Sequence, residues 1–201
     1  MSTQPKRRYT LDEYLELELA SEAKHEYWDG QIFAMSGASN AHDQIQGNLY
    51  LLRLKLRGRK CRVFLSDIRL KVPLFPPYRY PDLSALCGEA VWEKLGGLDL
   101  LANPSLIIEI LSPSTEAFDR GDKFAYYKSI PSFSEYLLVA QQRPHVVHYI
   151  KQANGDWLQR EYDKMTDTAR LAALDCEMTL AEIYEDVLFP PKNPYRLIEN
   201  N

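Results

Sequence analysis

Two carboxylates stand in settings that point to chemistry. Glu109 sits inside Leu106-Ile107-Ile108-Glu109-Ile110-Leu111, a run apolar enough for a strand covered on both faces. A carboxylate there loses its water. An unpaired buried charge costs several kcal/mol at least, so it needs a cation, a hydrogen-bond network or a raised pKa. The other account of Glu109 is an edge position, where the side chain reaches solvent or an arginine. Asp82 follows Pro81 early in the preceding strand run, Tyr80 to Leu86. Alone it is an ordinary loop aspartate. Beside Glu109 on a neighbouring strand it completes a pair of oxygen donors of the kind a hard divalent ion such as Mg²⁺ prefers.

The elements that must position these residues follow from periodicity and turn chemistry. Thr10 and Glu13 form a capping box ahead of a helix with Leu11, Tyr14, Leu15 and Leu19 on its apolar face. Glu26-Tyr27-Trp28 and Gln31-Ile32-Phe33 flank Asp29-Gly30, which predicts a two-residue hairpin. Ser39 or Asn40 caps a second helix carrying Ile45, Leu49, Leu52 and Leu56, with Gly58 beyond its end. His42 shares the face of Ile45 and Leu49 and points inward. It is either a hydrogen-bonded core histidine or a group able to move a proton near neutral pH. Val63 to Val72 alternates and predicts one strand. A helix is expected from about Ala117 to Ile130, stopped by Pro131, in which Asp119 and Lys123 are spaced as a helical ion pair. Glu135 to Ala140 and Pro144 to Ile150 read as strands, and Asn154-Gly155 turns the chain back into Trp157 to Tyr162. Thr179 and Glu182 repeat the capping box before a short helix. The pattern predicts one α/β (α+β) domain over residues 1–190, a central mixed sheet flanked by helices, with an extended polar tail over 191–201.

Composition bounds the classes that remain. A chain of 201 residues, 45% hydrophobic and 26% charged, is an ordinary globular protein able to bury a core without staples. No apolar run is long enough to span a bilayer, and Met1 to Arg8 is basic with no apolar stretch behind it, so a cytoplasmic protein with no membrane partner is expected. Cys61, Cys87 and Cys176 are far apart and form no Cys-x-x-Cys pair, which predicts reduced thiols. His145 and His148 lie at odd spacing on one strand and cannot share an ion. The absence of a Gly-x-Ser-x-Gly elbow and of a Walker-type loop leaves serine acyl transfer and nucleotide hydrolysis without support. A net charge of −4 argues against coating nucleic acid by bulk electrostatics. Between Arg53 and Lys71, however, eight basic residues face Asp67 alone. That stretch is either a solvated face or a surface for phosphates.

Tyr80-Pro81-Asp82-Leu83, followed by Leu106 to Leu111 and Ser112-Pro113-Ser114-Thr115, resembles the strand pair of the PD-(D/E)XK nuclease superfamily. More narrowly, the chain resembles the Uma-two family of restriction-endonuclease-like proteins. The resemblance includes His-Glu-Tyr-Trp-Asp-Gly at 25–30, Ala-His-Asp-Gln-Ile at 41–45 and Ser-Asp-Ile-Arg-Leu at 66–70. It continues through Asp-Arg-Gly-Asp-Lys at 119–123 and Glu-Tyr-Leu-Leu-Val at 135–139. It implies a restriction-endonuclease-like fold and a Mg²⁺- or Mn²⁺-dependent endonuclease acting on DNA, a homodimer by family analogy. Asp82 and Glu109 would hold the metal and activate a water. The superfamily pattern asks for lysine two residues after the glutamate, and this chain has Leu111. Lys123 is similar to a migrated lysine that reaches back to the same site; the Asp119–Lys123 helical pair is the rival account. Glu26 matches a recurrent glutamate of the family, and is either a third acidic ligand or a half-exposed strand carboxylate. Granting the acidic site, Arg57, Arg59, Lys60, Arg69 and Lys71 gain weight as a nucleic-acid-binding surface. Leu111 keeps open a catalytically inactive nucleic-acid-binding or partner-binding module on the same fold.

Overall fold

The computed structural model describes residues 7–35, 37–74 and 78–190, so the expected tail over 191–201 lies outside the described residues. Helix α1 (Leu11–Ala20) starts at the expected capping box, in which Thr10 and Glu13 each satisfy the other's backbone N–H. Its buried face is Tyr14, Leu15 and Glu18, whereas Leu19 is 54% exposed. Strands β1 (His25–Trp28) and β2 (Gln31–Ala34) pair through the Asp29-Gly30 turn, whose φ values of 42° and 74° suit those residue types. Helix α2 (Asn40–Tyr50), capped by Ser39, breaks at Leu51 and resumes as α3 (Leu52–Lys55); together they bury Ile45, Leu49, Leu52 and Leu56.

The alternating run from Val63 to Val72 is not one strand. It divides into β3 (Cys61–Leu65) and β4 (Arg69–Lys71), which belong to different sheets, because a tight turn with Ile68 N–H on the Leu65 carbonyl interrupts it. Next come β5 (Tyr78–Arg79), β6 (Leu83–Cys87), and the hairpin of β7 (Trp92–Leu95) and β8 (Leu98–Leu101). Strand β9 (Leu106–Leu111) is buried at all six positions. The helical segment after it runs as α4 (Glu116–Phe118), a π-helical turn Asp119–Lys123 and α5 (Phe124–Tyr127). The chain then forms β10 (Glu135–Ala140), β11 (Val146–Lys151), β12 (Trp157–Tyr162) and β13 (Thr168–Leu171). A 3₁₀ turn (Ala172–Leu174), β14 (Cys176–Thr179) and α6 (Leu180–Ile183) follow, the last behind its own capping box.

The main sheet has the order β12-β11-β10-β9-β6-β3, with β9 and β10 parallel and the other pairs antiparallel. A mixed sheet with both faces covered is the architecture expected. Alternation along β9 sorts the core: Leu106, Ile108 and Ile110 pack with α2, α3 and α6, while Ile107 and Leu111 pack with Phe124, Tyr127 and Phe133. Glu109 therefore belongs to the second, aromatic-rich face. A smaller sheet, β5-β4-β8-β7, flanks it. Among the described residues no helix is long and apolar enough to cross a membrane.

One expectation from the cysteines is corrected. Cys61 and Cys87 stand directly opposite each other on β3 and β6, their Cα atoms 3.9 Å apart, and form a disulfide; only Cys176 is a free thiol. The pairing depends on strand register between residues 26 positions apart, which spacing alone does not show.

Glu135, at the start of β10, is buried and accepts a hydrogen bond from Ala172 N–H. His148 Nε2 lies 3.8 Å from its Oε1, and both ring nitrogens lack a hydrogen-bond partner among the described residues. Burial pushes the Glu135 carboxyl up to about 7 against the pull of the Ala172 and Ala173 N–H groups. Burial, with the charge of Arg160, pushes His148 down to about 4. The raised carboxyl pKa means the folded protein holds a proton that the unfolded chain gives up near its ordinary value of 4.5. Its contribution is fully present below that value and is lost as pH rises through about 7. Glu135→Gln should therefore gain stability relative to the parent between these limits, by up to about 3 kcal/mol, in urea titrations at stepped pH. A stability difference that stays flat over that window would contradict this.

Candidate active site

The register Leu83↔Ile108 and Ser84↔Ile107 brings Asp82, just before β6, alongside the Glu109–Ile110 segment of β9. The Asp82 carboxylate is held in place there. Its Oδ2 accepts the Ile110 N–H at 2.7 Å and lies 3.3 Å from His42 Nε2, and Gln46 donates to its backbone carbonyl at 3.0 Å. His42 sits in the first turn of α2, where the Ser39 cap accepts its N–H. Burial draws its pKa down, but the bond to Asp82 and the charges of Asp82, Asp43 and Asp119 outweigh that and leave it raised.

Glu109 is 3% exposed and meets a cation inside the protein. Lys123 Nζ lies 2.8 Å from Glu109 Oε1, and the Tyr127 hydroxyl donates to the same oxygen at 2.8 Å. The ammonium also donates to the Tyr80 carbonyl at 3.3 Å and stands 3.5 Å from Asp119 Oδ1. Lys123 thus makes both the contact expected of a migrated lysine and the helical pair with Asp119. No arginine neutralises Glu109 among the described residues; the cation is this lysine. Leu111, where the superfamily has its lysine, is buried in the aromatic-rich core. Burial drives the Glu109 pKa well up, Lys123 opposes that rise, and Asp119 and Asp82 add to it. For Lys123, burial acts downward, yet Glu109, Glu26, Asp119 and Asp82 together raise it and keep it charged.

The π-helical turn makes this arrangement. Such turns insert an extra residue into a helix and recur at functional sites. Here the turn buries both Asp119 and Lys123, while Tyr127 follows on the same inward face. Asp119 and Tyr127 are members of the site that sequence reasoning passed over as anything but packing or pairing. The signal available was their common four-residue spacing with Lys123. Glu26 comes from the β1–β2 hairpin. Its Oε1 is buried with no hydrogen-bond partner among the described residues, and its charge acts on Lys123, Asp119 and Tyr127. The hairpin is pinned to the helical segment by Arg79, which is 1% exposed and donates to the Tyr27 carbonyl at 3.0 Å. Its guanidinium lies 5.1 to 5.7 Å from the ring centres of Trp28, Phe118 and Tyr126.

Among the described residues no three His, Cys, Asp or Glu side chains converge as a ready-made ligand cluster. The donor chemistry nevertheless fits a hard cation. The available groups are oxygens, Tyr127 and Lys123 both engage Oε1 of Glu109, and a buried Glu26 oxygen has no hydrogen-bond partner among the described residues.

The basic stretch divides. Arg69 pairs with Glu18 at 3.5 Å, Lys71 pairs with Glu93, and Arg59 donates to the Leu174 and Asp175 carbonyls at 3.3 and 2.6 Å. Arg57 and Lys60 are exposed, and their side chains have no ion-pair or hydrogen-bond partner among the described residues.

Comparison with known proteins agrees with this architecture. The model of the Uma2 family, described as "Putative restriction endonuclease", matches residues 11–181. A Synechocystis sp. (strain ATCC 27184 / PCC 6803 / Kazusa) protein, "Uncharacterized protein slr1290", is 34% identical over 186 residues, covering 92% of this chain and 96% of its own. A second from that organism, "Uncharacterized protein sll1609", is 37% identical over 153 residues, covering 76% and 86%. The fold is shared with a crystal structure described as that of "a putative nuclease belonging to DUF820" from Anabaena variabilis ATCC 29413. The TM-score is 0.70 at 20% identity, covering 89% of this chain and 99% of that one. With the match running from the first helix to the last, the chain belongs to the Uma2 family of restriction-endonuclease-like proteins.

Proposed function

We propose that this protein is a divalent-metal-dependent endonuclease that hydrolyses phosphodiester bonds in DNA, with Asp82, Glu109 and Lys123 at its centre and Glu26 and His42 in support. The observation that carries the reading is the buried ammonium of Lys123, 2.8 Å from Glu109 on the strand whose Ile110 N–H holds the Asp82 carboxylate. A buried, charged lysine among four acidic side chains has the makings of a site that handles charge developing on a phosphoryl group. Asp82 and Glu109 would hold Mg²⁺ or Mn²⁺, which supplies Lewis acidity and a water of lowered pKa. Lys123 would position the attacking water and offset negative charge developing on the phosphoryl oxygens. The Tyr127 hydroxyl fixes Glu109, and the Ile110 N–H fixes Asp82. Glu26 is a third acidic donor. His42, raised by Asp82, can accept or return a proton at the rim.

A second reading rests on one specific observation: Lys123 already satisfies Glu109, and no ligand cluster is preformed among the described residues. In that reading the fold binds nucleic acid without cutting it. Incubating purified protein with duplex and single-stranded DNA in Mg²⁺ or Mn²⁺ separates the two. Cleavage lost in Glu109→Ala, along with metal binding, is the result expected of the enzyme. No cleavage by the unmodified protein on any of these substrates would favour the binding module.

Lys123→Ala should lower cleavage by about a hundredfold or more, comparable to losing one charge-stabilising donor. It leaves Glu109 and Asp119 buried without their cation, so a lower melting temperature should accompany the loss and be relieved by added metal ion. Full activity in this variant would remove lysine from the mechanism.

For the basic surface, the free side chains decide the test. Reversing charge at Arg57 and Lys60 should weaken DNA binding at low salt and reduce the slope of log affinity against log salt by about 1 for each phosphate left without its cation. An unchanged slope would show that this surface is only solvated.

A further inference from the structure

The Lys123 ammonium has three oxygens around it: Glu109 Oε1 at 2.8 Å, the Tyr80 carbonyl at 3.3 Å and Asp119 Oδ1 at 3.5 Å. The lysine is thus held by an ion pair to Glu109, a longer one to Asp119 and a hydrogen bond to the Tyr80 carbonyl. A divalent cation drawn to Glu109 would compete with Lys123 for that carboxylate and stand close to its positive charge. Repulsion between a divalent ion and a buried ammonium is large at short range in a low-dielectric interior. Something anionic must hold the lysine once Glu109 turns to the metal.

Asp119 is placed to do so. It is 3% exposed, its carboxylate is 3.5 Å from Lys123 Nζ, and its backbone carbonyl accepts the Tyr136 hydroxyl at 3.0 Å. Asp119 and Lys123 are the first and last residues of the same π-helical turn, so the pair is carried as one unit. Glu109 lies across from them on β9 and presents Oε1 to both Lys123 and Tyr127.

We infer that Lys123 changes anions when a divalent cation binds: it leaves Glu109, stays on Asp119 and the Tyr80 carbonyl, and Asp119 acts as the positioning residue of the lysine rather than as a ligand of the ion. This rests on the metal reading proposed above. The exchange keeps the ammonium beside the reacting phosphoryl group while freeing Glu109 for the ion. It also explains why a superfamily site that lacks its strand lysine has two acids, not one, around the lysine that stands in for it.

The test is diffraction from crystals of the unmodified protein soaked in Mn²⁺, with the ion located by its anomalous signal, joined to a Mn²⁺ titration of Asp119→Asn by calorimetry. The expected structure has Mn²⁺ on Glu109 and Asp82, with Lys123 Nζ withdrawn from Glu109 and still on Asp119. The expected titration shows Mn²⁺ affinity about tenfold weaker in Asp119→Asn, the size of an ordinary coupling between sites. An Asp119 oxygen within about 2.0–2.6 Å of the ion would make it a ligand and overturn the exchange. So would Lys123 remaining on Glu109 with the ion bound, or an unchanged affinity in Asp119→Asn. Absence of Mn²⁺ from Glu109 in soaked crystals would overturn the metal reading itself, and the exchange with it. The soak needs no variant, so it decides the question even if Asp119→Asn does not fold.

Discussion

The burial of Glu109 is the constraint on which the rest of the site depends. A carboxylate on the third strand from the edge of a covered sheet has no water to turn to, and desolvation is the largest influence on its protonation. The protein brings a cation to it from the next helical segment. That cation is equally buried, so it needs more than one anion to stay charged. Asp119, Asp82 and Glu26 follow from this requirement as much as from any chemistry the site performs. A π-helical turn, an aromatic-rich face and a pinned hairpin are the devices that bring the acids to one lysine.

Such an arrangement is poorly suited to stability alone. Hydrophobic residues of similar volume often serve a core as well as a buried ion pair does. Lys123 feels the charge of four acidic side chains, while burial pushes the carboxyls of Glu109 and Asp119 upward, so the cluster holds its acids against their desolvation. Such a concentration of buried ionisable groups, in a chain of the Uma2 family, is the kind of site that the proposed hydrolytic role would use. The basic stretch plays a smaller part. Lys55, Arg59, Arg69 and Lys71 pair with acidic residues of the same chain, so half of its eight basic charges already have a counter-charge.

Much of the fold was legible in the sequence where local chemistry decides the outcome. The capping boxes at Thr10 and Thr179, the Asp29-Gly30 hairpin and the apolar strand Leu106–Leu111 depend on neighbouring residues and appear where expected. The misreadings lie where tertiary contacts override pattern. Alternation continues from Val63 to Val72 through a turn that sends its two halves to different sheets. Glu18 displaces Leu19 from the core because its carboxylate accepts from Tyr80, Arg69 and the His25 N–H. The Cys61–Cys87 pair depends on cross-strand register. In the site, Glu109 announced itself by its surroundings and Asp82 by its proximity to the preceding strand. Asp119 and Tyr127 did not, since a π-helical turn has no sequence signature of its own and an inward tyrosine beside Phe124 reads as core.

The central claim is that Glu109 and Lys123 act as one buried unit, and a double-mutant cycle on folding stability tests it most directly. The variants are Glu109→Gln, Lys123→Met and the two combined, measured by urea denaturation without metal. Partners in a buried pair depend on each other, so the double variant should be more stable than the sum of the single losses implies, with a coupling of about 2 kcal/mol or more. Losses that add, with a coupling near zero, would show that Lys123 is not the counter-charge of Glu109 and would contradict the account.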